Sequence, residues 1–126
     1  MKDRTLYVNG VEPNTPDKLG VEIRDLFLKS TNDLEWLSPG EMVLLKPALN
    51  SHHPYPSTTH PLAIQVISKI LKDNGAEVVI GDQSGIREVL HHPGGVIRGK
   101  TRENYIKSGM GTTKDYFVGF EEEGWD

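Results

Sequence analysis

The spacing of apolar residues changes several times along the chain, and each change marks an element. Leu6-Tyr7-Val8 is a short run of β-formers closed by Asn9-Gly10, which predicts a strand over residues 5–9. Residues 11–14 read as a turn-rich loop. Thr15 then stands as a helix cap before Pro16, whose missing N–H costs nothing in a first turn. Leu19, Ile23, Leu26, Phe27 and Ser30 fall on one face of the helix that follows, and Gly20 weakens it. Ser38-Pro39-Gly40 is a strong turn. Met42-Val43-Leu44-Leu45 is continuously apolar, which predicts a strand over residues 42–46 buried on both faces, as in a parallel sheet. Pro47 cannot donate to a ladder, so the strand ends near Lys46.

Residues 47–60 carry no period. A loop of that length is long for a compact domain, and such loops are often functional. His60 or Thr59 caps the next helix, with Pro61 in its first turn. Ala63, Val66, Ile67, Ile70 and Leu71 set its buried face, and Asn74-Gly75 stops it. A second buried strand follows over residues 77–81, then the polar turn Gly81–Gly85. Strand, helix and strand form a crossover unit that should close right-handed, with its strands parallel. Beyond it the pattern is weaker. Residues 86–90 read as one helical turn broken by His91-His92-Pro93-Gly94-Gly95, residues 101–108 as a helix ended by Gly109, and residues 116–120 as a last strand. Glu121-Glu122-Glu123 reads as a solvated face or turn. The fold class is therefore α/β, a small two- or three-layer fold around a mainly parallel sheet, in one domain spanning residues 1–126.

The charge balance is 14 basic against 18 acidic side chains, a net −4. No basic field is present to attract a polyanion, which argues against nucleic-acid and anionic-membrane binding. No cysteine occurs, so disulfides, thiolate zinc sites, thiol catalysis and cysteine-ligated iron–sulfur clusters are excluded within this chain. No apolar stretch is long enough to span a bilayer, and the first residues do not read as a signal peptide; a cytoplasmic protein is the expectation.

Three segments carry a resemblance: Leu44-Leu45-Lys46-Pro47-Ala48-Leu49-Asn50, then Ser57-Thr58-Thr59-His60-Pro61, then Lys72 to Asp82. Together they resemble the N-terminal part of the family called domain of unknown function 362. Its members typically show lysine-proline-asparagine after an apolar strand, threonine-threonine-histidine-proline opening a helix, and glycine-aspartate after the next strand. The match covers residues 41–85. Ala48 departs from it, standing where the family usually has asparagine. The resemblance implies an α/β fold and a domain longer than this chain. It therefore implies a fragment, or a compact relative that completes itself by association. It implies no defined activity.

Ligands of open parallel sheets bind outside the carboxyl ends of the strands. Lys46 and Asp82 end the two predicted strands there, and the 47–60 loop and His60 should lie on the same edge. The candidate ligand-binding residues are Lys46, Asn50, Thr59, His60, Asp82 and Ser84. Lys46 and the start of the helix would supply positive potential to a small anionic ligand or cofactor. Three readings follow. The first is a binding domain, alone or as part of an enzyme. The second is a metalloenzyme domain holding a divalent metal through His60, Asp82 and His52 or His53. The third is a non-catalytic structural or assembly domain, its open sheet edge favouring self-association. No Walker, dinucleotide-binding or G-x-S-x-G motif is present.

Overall fold

The computed structural model of the protein describes residues 5–10, 15–84, 89–112 and 116–124. Helix α1 spans Pro16–Ser30 and is capped as its sequence dictates, Thr15 Oγ1 accepting from the Lys18 N–H. Strand β1 is Met42–Leu45, helix α2 is Pro61–Asp73 and strand β2 is Glu77–Asp82. An antiparallel hairpin of β3 (Val89–His92) and β4 (Gly95–Arg98) follows. Helix α3 (Thr101–Lys107), a 3-10 turn at Met110–Thr112, strand β5 (Tyr116–Gly119) and a 3-10 turn at Phe120–Glu123 complete the described order. The principal sheet runs β1-β2-β5 and every pairing in it is parallel. The fold is thus a small α/β arrangement. No described helix is long and apolar enough to cross a membrane.

Two apolar clusters hold the layers together. At the amino ends of the strands, Leu34, Ile70, Leu71, Ala76 and Val78 pack with the last turns of α1. At the carboxyl ends, Leu49, Ile64, Ile80, Tyr105, Met110 and Phe117 form the second cluster, with the Tyr105 and Phe117 rings stacked at 4.1 Å. Leu45 touches both clusters. The second cluster fixes the edge where the candidate residues lie, because it draws one side chain from the loop, one from α2, and the rest from β2, α3, the following turn and β5.

Four expectations need correction. Residues 5–9 are not a strand. Among the described residues the apolar triplet has no partner strand, leaving Leu6 and Val8 about four-fifths exposed, while Tyr7 rests against the Lys29 ammonium of α1. Strand β1 is not buried on both faces: it lies at the sheet edge, with Met42 70 % and Leu44 47 % exposed. Its continuous apolar run reflects an outer face that this chain leaves open. Residues 89–90 belong to a strand, not to a helical turn, and the rest of the predicted turn, residues 86–88, lies outside the described residues. Pro93-Gly94 makes a hairpin turn there, with Gly95 at a φ of +130° that favours glycine. Finally, Glu121-Glu122-Glu123 is not merely solvated. Glu121 Oε1 accepts from the Thr101 N–H and so caps α3 from a distance, and Glu122 pairs with Arg102.

The buried face of α2 also differs in detail. Ile64 and Ser68 are buried, whereas Ala63, Val66 and Ile67 are only half-buried. The helix is sandwiched between the sheet and α1, so two faces contribute and the single apolar stripe shifts.

Candidate functional site

Strands β1 and β2 are in register from Met42 opposite Glu77 to Leu45 opposite Ile80. Lys46 therefore follows directly on one strand, while Asp82 is the last residue of its neighbour, opposite Gly119 of β5. Period-two alternation puts Asp82 on the same face as Val78 and Ile80, toward the core. Its side chain is 2 % exposed. Oδ2 accepts from the Leu49 N–H at 2.9 Å, and Oδ1 lies 2.6 Å from Lys46 Nζ. That second contact is an ion pair by distance only, since among the described residues no hydrogen-bond donor is aligned with Oδ1. The side chain of Lys46 is 62 % exposed. A buried anion thus holds a solvent-facing ammonium at the strand ends.

Leu49 is the pivot of this edge. Its side chain is fully buried, its N–H serves Asp82, and its carbonyl accepts from Ser84 Oγ and, at 3.5 Å, from Asn104 Nδ2. Ser84 Oγ also accepts from Asn104 Nδ2 at 3.0 Å, and the Ser84 N–H donates to Thr101 Oγ1 at 2.8 Å. Ser84 is therefore a buried hydroxyl with both roles filled from within the protein. Its network ties the loop to β2 and α3. Nothing in the sequence pattern marks Leu49, Thr101, Asn104 or Glu121 as site-forming, because each acts across 17 to 55 residues of chain. Glu121 Oε2 is buried without a hydrogen-bond partner among the described residues.

The loop has closed ends. The Ala48 N–H donates to Thr59 Oγ1 at 2.8 Å, and the Thr59 N–H donates back to the Ala48 carbonyl at 3.2 Å. Between them Thr58 Oγ1 donates to the His53 carbonyl, and the His53 N–H donates to Ser51 Oγ. The span has the size and closure of a compact Ω-type loop. Thr59 thus closes the loop and does not cap α2. Asn50 is exposed beside the buried Leu49. The His52 and His53 rings lie tilted against each other at 38°, with centroids 4.9 Å apart.

His60 has a different place. It is the N-cap of α2, and its Nδ1 accepts from the Leu62 N–H at 3.1 Å. The Ala63 N–H goes to the His60 carbonyl. The donors expected to be free at this helix start are therefore engaged. The His60 ring lies 5.0 Å from that of Tyr55 and lines a cavity of about 330 Å³ with Pro16, Leu19, Pro61, Leu62 and Gln65. Neither Lys46 nor Asp82 lines that cavity. Among the described residues, no group of three or more histidine, aspartate and glutamate side chains is placed to hold a metal ion.

One further charged pair braces the edge. Arg102 of α3 makes paired contacts to the Glu122 carboxylate, 2.6 and 3.1 Å to Oε2, and reaches the Phe117 carbonyl. These hydrogen bonds hold the Glu122 carboxyl below its ordinary range and raise the Arg102 guanidinium above its own.

Comparison with curated proteins and with solved structures found no match. The family model described as Domain of unknown function (DUF362) matches residues 43–124, from the second residue of β1 through the turn after β5. That span contains Lys46, the closed loop, His60, Asp82 and the α3 brace, and covers more than half of the sequence, so the chain belongs to the DUF362 family.

Proposed function

We propose that this domain binds a small anionic ligand at the carboxyl ends of its parallel strands, with Lys46 as the charge that meets it. The observation behind the reading is the Lys46–Asp82 pair. The buried carboxylate holds the ammonium in place, and most of the lysine side chain stays in water. Because Asp82 cancels much of the long-range field of Lys46, recognition rests on a short, charge-assisted contact. Such a contact is worth about 1.5–3 kcal/mol, and the partly neutralised pair argues for the lower end. Lys46→Ala should then weaken binding about tenfold, at 1.4 kcal/mol per decade. Asn50 is exposed and follows Leu49, whose N–H meets Asp82, whereas Ser84, Thr59 and His60 act by holding the loop and the helix.

A three-variant experiment tests this against the metal reading. Lys46→Ala, His60→Ala and Asp82→Asn are titrated with inorganic phosphate and assayed for bound zinc and magnesium. The anion reading expects loss of phosphate binding in Lys46→Ala above all. The metal reading expects loss of metal in His60→Ala and Asp82→Asn while Lys46→Ala spares it.

A second reading is favoured by one feature. Leu44, Val79 and Tyr116 share a register row on the outer face of the sheet, with Met42 beside them, and Tyr116 is 64 % exposed. All-parallel sheets are ordinarily covered on both faces. We infer that a second copy covers this face, which makes self-association part of the domain's role. Sedimentation across micromolar concentrations tests it: a single monomeric species throughout contradicts the assembly reading and leaves the anion reading standing.

A further inference from the structure

Helix α1 lies outside the matched family span, and none of its 15 residues is buried. It packs against α2 along one side, where a Cβ on Gly20 would stand 3.8 Å from Val66 Cγ2. Beside this contact lies a cavity of about 350 Å³, between Val21 of α1 and Leu62, Val66 and Ile70 of α2. Val21 is 55 % exposed. Four charged residues surround it on the helix surface, Asp17 and Lys18 one turn before and Arg24 and Asp25 one turn after, and all four are exposed. Among the described residues none of these four side chains has an ion pair or a hydrogen bond. Across the cavity, by contrast, Lys69 and Asp73 of α2 satisfy each other at 2.6 Å.

The order of these charges is self-complementary. Asp17 and Arg24 are two helical turns apart and so share one side of Val21, while Lys18 and Asp25, equally spaced, share the other. Each pair carries opposite signs, and the two midpoints fall just before and just after Val21. Turning α1 over about a two-fold axis at Val21 therefore sets every charge against its opposite. We propose that a second copy of this chain docks here, the two α1 helices running antiparallel across that axis. Asp17 meets the partner's Arg24, Lys18 meets the partner's Asp25, and symmetry repeats both contacts, as an isologous interface requires. Val21 meets the partner's Val21 at the axis, where the two helices cover the apolar cavity. A parallel arrangement in the same register would set like charges together, so the pattern selects the antiparallel one. This surface is separate from the open sheet face, because α1 packs on α2, and α2 covers the face that carries Val78 and Ile80. Exposed ion pairs are individually weak and screened by salt, so the dimer should be weak and should weaken further as salt rises.

The chain has no cysteine, so a single introduced thiol reads the axis directly. A disulfide needs its Cα atoms within about 7 Å, which two copies meet at the axis and not far from it. Under mild oxidation of the full chain at micromolar concentration, Val21→Cys should form a disulfide-linked dimer about tenfold faster than Ser30→Cys, because docking raises the effective concentration of its thiols. Ser30 is also exposed on α1 but lies more than two turns from the axis. Within the Val21→Cys protein, Asp17→Lys or Arg24→Glu alone sets like charges together at two places and should slow the cross-link about tenfold, or 1.4 kcal/mol. Mixed, these two slow proteins should link to each other at the rate of the unreversed protein, since every charge again meets its opposite. Mass spectrometry separates the mixed dimer from either homodimer. Recovery on mixing also rules out misfolding as the cause of the slow rates. Met42 and Tyr116 are unchanged throughout, so association through the sheet face does not distinguish the variants. Equal rates at positions 21 and 30, single reversals that link as fast as Val21→Cys alone, or no recovery on mixing would overturn the docking.

Discussion

The Lys46–Asp82 pair is asymmetric, and that asymmetry predicts which partner matters more for stability. Consider Lys46→Met. It removes the exposed member and leaves a buried carboxylate whose one remaining partner among the described residues is the Leu49 N–H. Breaking a buried pair this way costs about 3–5 kcal/mol. Water reaches the lysine side of the contact, so the lower end, about 3 kcal/mol, applies. Now consider Asp82→Asn. The amide keeps an oxygen for the Leu49 N–H and fills the same volume. It forfeits the charge on that bond, roughly 1 kcal/mol. The orphaned ammonium, already 62 % exposed along its side chain, swings into water at almost no cost. In the double variant no buried charge remains, so its loss should resemble that of Asp82→Asn alone, about 1 kcal/mol against about 4 kcal/mol if the single losses added, a coupling of about 3 kcal/mol. The assay is urea unfolding of the four proteins, read as shifts in midpoint at constant slope. Thermal unfolding should follow, at roughly 3–5 °C per kcal/mol for a chain of this size. Additive losses, or an Asp82→Asn variant less stable than Lys46→Met, would refute the reasoning.

Three further outcomes follow from other contacts. Glu122→Gln should cost up to about 1 kcal/mol at neutral pH, the range for a well-formed surface pair. Because Arg102 lowers the Glu122 pKa, this stability is fully present above the ordinary value of 4.5. It is lost as pH falls through the depressed folded value, so parent and variant should converge in acid unfolding. His60→Ala should cost about 1 kcal/mol by removing the cap on the Leu62 N–H, whereas His60→Asn, itself a good cap, should restore most of it in thermal melts. Gly81→Ala should destabilise by about 1–3 kcal/mol in urea, since the added carbon would stand 2.6 Å from Phe120 Cε1 and 3.1 Å from the Val118 carbonyl.

The parts of the fold legible in the sequence are those whose signals are local. The Thr15-Pro16 and His60-Pro61 starts, the Asn74-Gly75 stop and the apolar runs of β1 and β2 each act within a few residues, and each element formed where its signal lies. The approach of Lys46 to Asp82 was also legible, because parallel pairing places neighbouring strand ends together whatever their separation in sequence. Residues 5–9 misled because an apolar triplet becomes a strand only where a partner strand is available. The hairpin at residues 89–98 was obscured because two histidines and Pro93-Gly94 read as a break, whereas in space they form a turn and its flanks. The frame of the site was illegible for a related reason. The grip of Ser84 and Asn104 on Leu49 and the cap that Glu121 gives α3 depend on tertiary approach, and polar residues at such distances leave no periodic trace.

The central claim is that Lys46 presents a held positive charge to a small anion at the strand ends. Backbone and lysine side-chain NMR during a titration with inorganic phosphate tests it most directly. Saturable shifts are expected at Lys46 and at the Leu49 N–H that Asp82 engages, with an apparent Kd about tenfold weaker in Lys46→Ala. Shifts centred elsewhere, or a Kd unchanged by Lys46→Ala, would contradict it.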